Sequence, residues 1–189
     1  MKMHGLRKSR EYKGGALLDI LTRPPAIENK ETLMEIRDSP IFINDCARTE
    51  FWLNYELSIS IEYAKSHAVF RKLTFCDQCV LLEHTHLAIF VFTSAYDSYC
   101  NESKEIHYSN GDKIVVGGDT GSPNDLIEMM ARCSLDSVTF ALSKALILLN
   151  PDTCGISAEG NKFLEQERVR YTRLLASHTF ERFGDRGIA

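Results

Sequence analysis

Basic charge is in short supply in this chain. Lys and Arg number 22 against 26 Asp and Glu, giving a net charge of −4 and a pI near 5.9. Nucleic-acid binding needs a basic footprint, so no direct contact with DNA or RNA is expected. The first thirteen residues are basic and carry no apolar core, so no secretory leader is read there. The six cysteines (Cys46, Cys76, Cys79, Cys100, Cys133 and Cys154) are therefore expected to be reduced thiols. Cys76-x-x-Cys79 has no second CxxC or His pair at zinc-ribbon distance, and no metal site is expected. Asp119-Thr120-Gly121 occurs once, whereas aspartic-protease chemistry needs two such carboxylates sharing a proton on an all-β scaffold. Gly155-Ile156-Ser157-Ala158-Glu159-Gly160 puts its second Gly one place too late for a nucleophile elbow. Gly117-Gly118 has no Lys and Ser/Thr in phosphate-loop register. His84 and His86, two apart on a helix, point about 200° apart and cannot share a metal. Repeats and low-complexity segments are absent. Nothing here assembles an enzyme, and no cofactor is expected.

What is present is a core. The 189 residues, 44% hydrophobic and 25% charged, fit one domain, which can bury about 70% of its unfolded surface. The organising stretch runs from Tyr63 to Tyr99. It starts as an amphipathic segment, turns near Leu73-Thr74, and enters the most apolar part of the molecule. Thr74-Phe75-Cys76-Asp77 fits a capping box at a helix start. Beyond it, Val80, Leu81, Leu82, Leu87, Ala88, Ile89, Phe90, Val91 and Phe92 leave almost no polar face. This pattern predicts a central helix buried on all sides. Its apolar part, close to Glu83, His84 and His86, reads as too short to span a bilayer, and no membrane partner is expected.

Around this helix the patterns are mostly of helical period. Residues 1–15 read as a polar tail or hinge remnant, and 16–189 as a helical domain. Leu17 to Leu21 is a short apolar helix stopped by Pro24-Pro25. From about Asp45 to Leu73, Trp52, Tyr55, Ile59, Tyr63 and Phe70 keep steps of three, four and seven, predicting one long helix. Ile106 to Val116, with Asn110-Gly111 at its centre, predicts a type I′ β-hairpin. Ser122-Pro123 predicts a helix start, with one or two helices running to Leu149. Ser157 can cap a last helix carrying Leu164, Tyr171, Leu175 and His178, closed by Gly184.

Several of these residues carry a family resemblance. Tyr63-Ala64-Lys65, Phe70, Leu73, Asp77-Gln78 and Leu81-Leu82 resemble the signature of nuclear hormone receptor ligand-binding domains. Ala145 to Asp152, followed by Gly155-Ile156-Ser157, resembles the seventh-to-eighth helix junction of that family. The two matches are in order and at a family-like separation, and the resemblance covers roughly residues 45–183. The spacing suggests the divergent group expanded in nematodes. The resemblance implies an all-α layered helical sandwich with one small β-hairpin, C-terminally incomplete because the last helices are not present.

It also implies two sites. Ile61 and Lys65, with Phe75, Gln78 and Cys79, would form a coregulator groove for a short LxxLL-type helix, Lys65 meeting the free carbonyls at its C-terminus. Trp52, Glu56, His86, Phe90 and Ser94 would face an internal pocket for a small lipophilic ligand. Position 83 is Glu, where many relatives have a basic residue. Near Asp97 many relatives carry a basic residue that anchors ligand acids, so an acidic ligand is disfavoured. The acid clamping the other end of the peptide belongs to the last helix, so weak peptide binding and self-association through uncovered apolar surface are expected. The functional expectation is transcriptional regulation through ligand and coregulator binding, in the nucleus, with the cytoplasm as a second location. The alternative is a ligandless interaction module, or a truncated isoform that titrates receptor partners.

Overall fold

The computed structural model describes residues 21–22, 58–108, 111, 113–114 and 123–184. Helical residues 58–66 (α1) lead into α2, Ala68–Lys72, then α3, Phe75–Cys100. Three more helices follow: α4, Pro123–Arg132; α5, Ser137–Leu148; and α6, Ala158–Phe183. No strand occurs among the described residues. Where a hairpin is expected, a single antiparallel bridge pairs His107 with Lys113, and the Ile114 amide donates to the Ile106 carbonyl at 2.9 Å. Gly111 sits at φ +88°, a left-handed conformation that suits glycine at the tip of this turn. Trp52, Glu56, Cys46, Asp119-Thr120-Gly121 and the Ser122 cap lie outside the described residues.

The long helix expected before Leu73 is broken. His67 is extended (φ −82°, ψ 126°) between α1 and α2. The apolar spacing continues across the break, because the pattern fixes which side is buried and not whether every amide bond is made. Arg71 covers the carbonyls freed there, its guanidinium reaching the Lys65 oxygen at 2.8 Å and that of Ser66 at 3.4 Å.

The central helix is not buried on all sides. Leu87 is 54% exposed, and Glu83, His84 and Ala88 are exposed beside it. Its lack of a polar face has another cause: α3 serves two cores on opposite sides. Leu81, Thr85 and Ile89 form one buried stripe, and Phe90, Ser94 and Ser98 a second. The two sets are nine residues apart, and nine steps of about 100° turn the buried face by about 180°. Leu81, Leu82 and Ile89 join Ala64, Phe70, Leu148, Leu149 and Leu164 in the first core. Phe90 and Ala95 join Ile106, Tyr108, Ile114, Ile127 and Met130 in the second. The 26 residues of α3 are in fact long and apolar enough to cross a membrane by length and composition. Packing against α4 and α5 makes it the central helix of this domain instead.

The starts of α3 and α6 share one carboxylate. Thr74 caps α3, its Oγ1 accepting from the Asp77 amide at 3.2 Å and donating to Asp77 Oδ2 at 2.8 Å. Ser157 caps α6, its Oγ accepting from the Gly160 amide at 3.0 Å. Asp77 Oδ1 accepts from the Ser157 amide and Oδ2 from the Ser157 hydroxyl, both at 2.7 Å. Gly160 is required beside this knot. A Cβ there would lie 2.9 Å from Ile156 Cγ2 and 3.0 Å from Asp77 Oδ2. Burial of Asp77 opposes its ionisation, but the hydrogen bonds from Ser157 and Thr74 outweigh it and hold the carboxyl below the usual carboxylate range.

α5 and α6 run antiparallel, tied at both ends. Asp136 caps α5 through the Thr139 amide at 2.7 Å and accepts from His178 at 2.9 Å and Arg182 at 3.2 Å. At the other end Arg168 donates to the Leu146 and Leu149 carbonyls.

Asp77→Asn should cost about 2–3 kcal/mol, because an amide cannot accept on both sides and leaves a buried donor unmatched. The folded-state pKa of Asp77 lies below its unfolded value of about 3.9. Its contribution is therefore complete above that value and lost as pH falls through the lower one. Urea unfolding at pH 7 and at pH 3 checks both points. The gap between wild type and variant should narrow on acidification.

Candidate functional site

Two surfaces border α3. The first lies at its N-terminal end beside α1. Phe75 is 42% exposed on the first turn of α3, and Cys79 stands one turn further on. Cys79 and Ile61 are half-buried at the rim of the first core. Burial, helped by the neighbouring Cys76 thiol, raises the pKa of Cys79, which marks a packed thiol. Gln78 is half-buried, and its amide nitrogen donates to the Phe70 carbonyl at 2.9 Å and the Leu73 carbonyl at 3.4 Å. It therefore closes the C-terminus of α2. Lys65 is only 2% exposed, its Nζ 3.0 and 3.1 Å from the two carboxylate oxygens of buried Glu62. The sequence reading gave Lys65 a surface role. The i,i+3 spacing from Glu62 carried the signal of this pair.

The second surface is a cleft of about 520 Å³ at the C-terminal end of α3, facing the bridged turn. Ser94, Asp97, Ser98 and Asn101 line one side, and Ser103, His107 and Tyr108 the other. Of the three described residues expected to face an internal pocket, His86, Phe90 and Ser94, only Ser94 lines this cleft. Phe90 is 3% exposed and stacks on Tyr108 within the second core, ring centroids 5.8 Å apart. His86 is half-buried, its Nδ1 in a short contact with the Leu82 carbonyl. The polar wall could have been read from the sequence. Positions 94, 97, 98 and 101 repeat at three and four on an otherwise apolar helix, so they share one face.

A shallower cleft of about 400 Å³ between α3, α5 and α6 is lined by His84, Thr85, Ser143 and Arg168, among others. Its Arg168 is already committed to the α5 carbonyls. Among the described residues no three His, Cys, Asp or Glu side chains converge on a metal position.

The Asp77–Ser157 knot joins the two stretches of signature residues. The family model for the ligand-binding domain of nuclear hormone receptor matches residues 46–183. The chain belongs to the nuclear hormone receptor ligand-binding domain family. Its relatives are of the divergent nematode type. Over 129 residues it is 27% identical to nuclear hormone receptor family member nhr-60 of Caenorhabditis elegans, covering 67% of this chain and 29% of the relative. With family member nhr-10 of the same organism it shares 23% over 145 residues, 71% of this chain and 37% of the relative. Nuclear hormone receptor 114 is 26% identical over 136 residues, 66% and 32% respectively. The chain thus spans about a third of the length of these curated relatives.

Asp77 and Gln78 each close a helix end, one by tying two N-caps and the other by satisfying the last carbonyls of α2. Phe90→Ala should cost about 3–5 kcal/mol, the usual penalty for emptying a buried aromatic site. A thermal or urea unfolding curve measures it. A loss under about 1 kcal/mol would instead place Phe90 on the wall of an open pocket.

Proposed function

We propose that this domain regulates transcription in the nucleus by binding a small ligand and a coregulator helix, without catalysis. The observation that carries the reading is the surface between α1 and α3. Exposed Phe75 stands one turn from half-buried Cys79, with Ile61 at the same core rim. An amphipathic LxxLL-type helix would lay its leucines on this apolar strip. Gln78 would act from beneath, by fixing the junction of α2 and α3. Lys65 would meet the peptide's terminal carbonyls by exchanging its Glu62 partner for them. A cation at that end contributes about 0.3–1 kcal/mol, or about 2 when partly buried. The ligand would enter on the Ser94 side of α3, with Trp52, Glu56, His86 and Phe90 shaping the adjoining wall.

One observation favours the ligandless alternative for the internal part of that pocket. Phe90 is packed into the second core against Tyr108, which fills space a lipophilic ligand would otherwise take. In that reading the domain works by titrating partners alone.

Titration of a fluorescent LxxLL peptide into the purified chain tests the groove. Weak, saturable binding is expected, reduced several-fold by Phe75→Ala and by Lys65→Ala. Glu62→Gln should tighten it, since a neutral partner holds Lys65 less firmly. Circular dichroism of each variant controls for folding. Equal affinity for a peptide with its leucines replaced by alanine would end the groove reading. A reporter assay with the chain fused to a heterologous DNA-binding domain then tests the transcriptional role.

A further inference from the structure

The cleft at the C-terminal end of α3 has a chemistry unlike that of an apolar ligand chamber. Its α3 wall is a stripe of hydroxyl, carboxylate, hydroxyl and carboxamide: Ser94, Asp97, Ser98 and Asn101. Ser94 is only 5% exposed, yet its hydroxyl makes no hydrogen bond among the described residues. Elsewhere on the same helix, Thr85 and Thr93 return their hydroxyls to the carbonyls four residues back, each at 2.7 Å. Ser94 does not, and its hydroxyl opens on the cleft, where a bound group can reach it; the buried side-chain polar atom without a partner among the described residues is Asn161 Oδ1. Asp97 makes no ion pair or side-chain hydrogen bond among the described residues. Although it stands exposed at the mouth, burial of its carboxyl against the wall raises its pKa, with Lys144 opposing. Across the cleft, Ser98 Oγ accepts from the His107 amide at 3.2 Å, and His107 Nδ1 lies 3.3 Å from Ser103 Oγ. Those groups are already engaged, which leaves the Ser94 hydroxyl open to the cleft and Asp97 with only the through-space charge of Lys144.

We propose that this cleft binds a small organic cation, an amine-bearing molecule whose ammonium pairs with Asp97 and whose neighbouring polar group bonds Ser94. The proposal rests on the reading above that this end of α3 holds a ligand, and it names that ligand's class. An ammonium brings several donors and a positive charge, complementing a carboxylate and a hydroxyl that face the cleft. A carboxylate ligand would meet Asp97 as a like charge. A wholly apolar ligand would strip water from both groups and give neither a hydrogen bond in return. A volume of about 520 Å³ lies within the range of small-molecule sites.

The test uses the full 189-residue chain with two probes of equal chain length and opposite charge, octylamine and octanoate. Isothermal titration should show saturable octylamine binding and at least tenfold weaker octanoate binding. Asp97→Asn should weaken octylamine tenfold or more, and Ser94→Ala several-fold. Asp97→Arg should reverse the preference toward octanoate. Asp97 is exposed, so its variants should keep the wild-type unfolding curve, which is checked alongside. Amide shifts on octylamine addition should concentrate between Ser94 and His107. Octanoate binding as tight as octylamine, amine binding indifferent to Asp97→Asn, or no saturable binding of either probe would overturn the proposal. The peptide and reporter assays read the receptor role separately. Amine binding with a dead reporter sinks that role and leaves the cleft, and the reverse sinks the cleft alone.

Discussion

One carboxylate fixes the frame. A helix start leaves four amide donors without intrahelical partners and concentrates positive potential there. Two such starts converge on Asp77, which stands 80 residues before Ser157, and its two oxygens serve both. Once α3 and α6 are pinned there, α5 has little freedom. Arg168 of α6 closes its C-terminus, and Asp136 at its N-terminus is held by His178 and Arg182. Leu148, Leu149 and Leu164 then meet Leu81 in the first core. The polar knot contributes less total energy than that apolar burial, but it sets the register in which the burial occurs. Gly160 belongs to the same constraint, since the close approach of Asp77 to the first turn of α6 leaves no space for a methyl group.

How much of this could be read from the chain follows from the range of each interaction. The Thr74–Asp77 box and the Ser157 cap are local, so residue types three apart announce them, and both are present. Their union is not local, and no spacing rule links position 77 to position 157. The family resemblance stood in for it by joining the two stretches. The break at His67 was illegible for a different reason, because an apolar stripe persists across an extended residue. The all-round apolar character of α3 was seen and misread. A helix that changes its buried face midway looks, residue by residue, like one that is buried everywhere, and Leu87 was the cost of that confusion.

The candidate sites divide along the same line. Lys65 was placed by resemblance in a surface role, whereas Glu62 three residues earlier supplied a nearer partner that local pattern alone could have named. Phe90 and Ser94 were assigned to one pocket, yet they fall into different environments, one in the second core and one on a polar wall. The resemblance points to the C-terminal half of α3 through Ser94 and Asp97, and Ser98 and Asn101 complete the polar wall of the cleft there.

The two surfaces stand at opposite ends of α3. From Gln78 to Asp97 is 19 residues, or about 28 Å of helix. α3 cannot bend to carry a signal between them without disturbing both cores it serves. A shorter physical route runs around it. Tyr96, beside Asp97, stacks on Phe140 of α5 at 3.8 Å, nearly parallel. The Lys144 ammonium, one turn further along α5, lies 5.8 Å from the Phe140 ring and 4.3 Å from that of Tyr63. Tyr63 sits on α1 between Ile61 and Lys65, two of the residues proposed for the groove. Continuity of packed groups is not coupling, which requires an element with two arrangements biased from both ends. It does constrain where such an element must lie. A displacement at the cleft that moved Tyr96 would press on α5 through a ring contact with almost no slack, and would reach α1 through a cation held between two rings. At His67 the amide ladder between α1 and α2 is interrupted, and the tie between them passes instead to the Arg71 guanidinium on the Lys65 and Ser66 carbonyls.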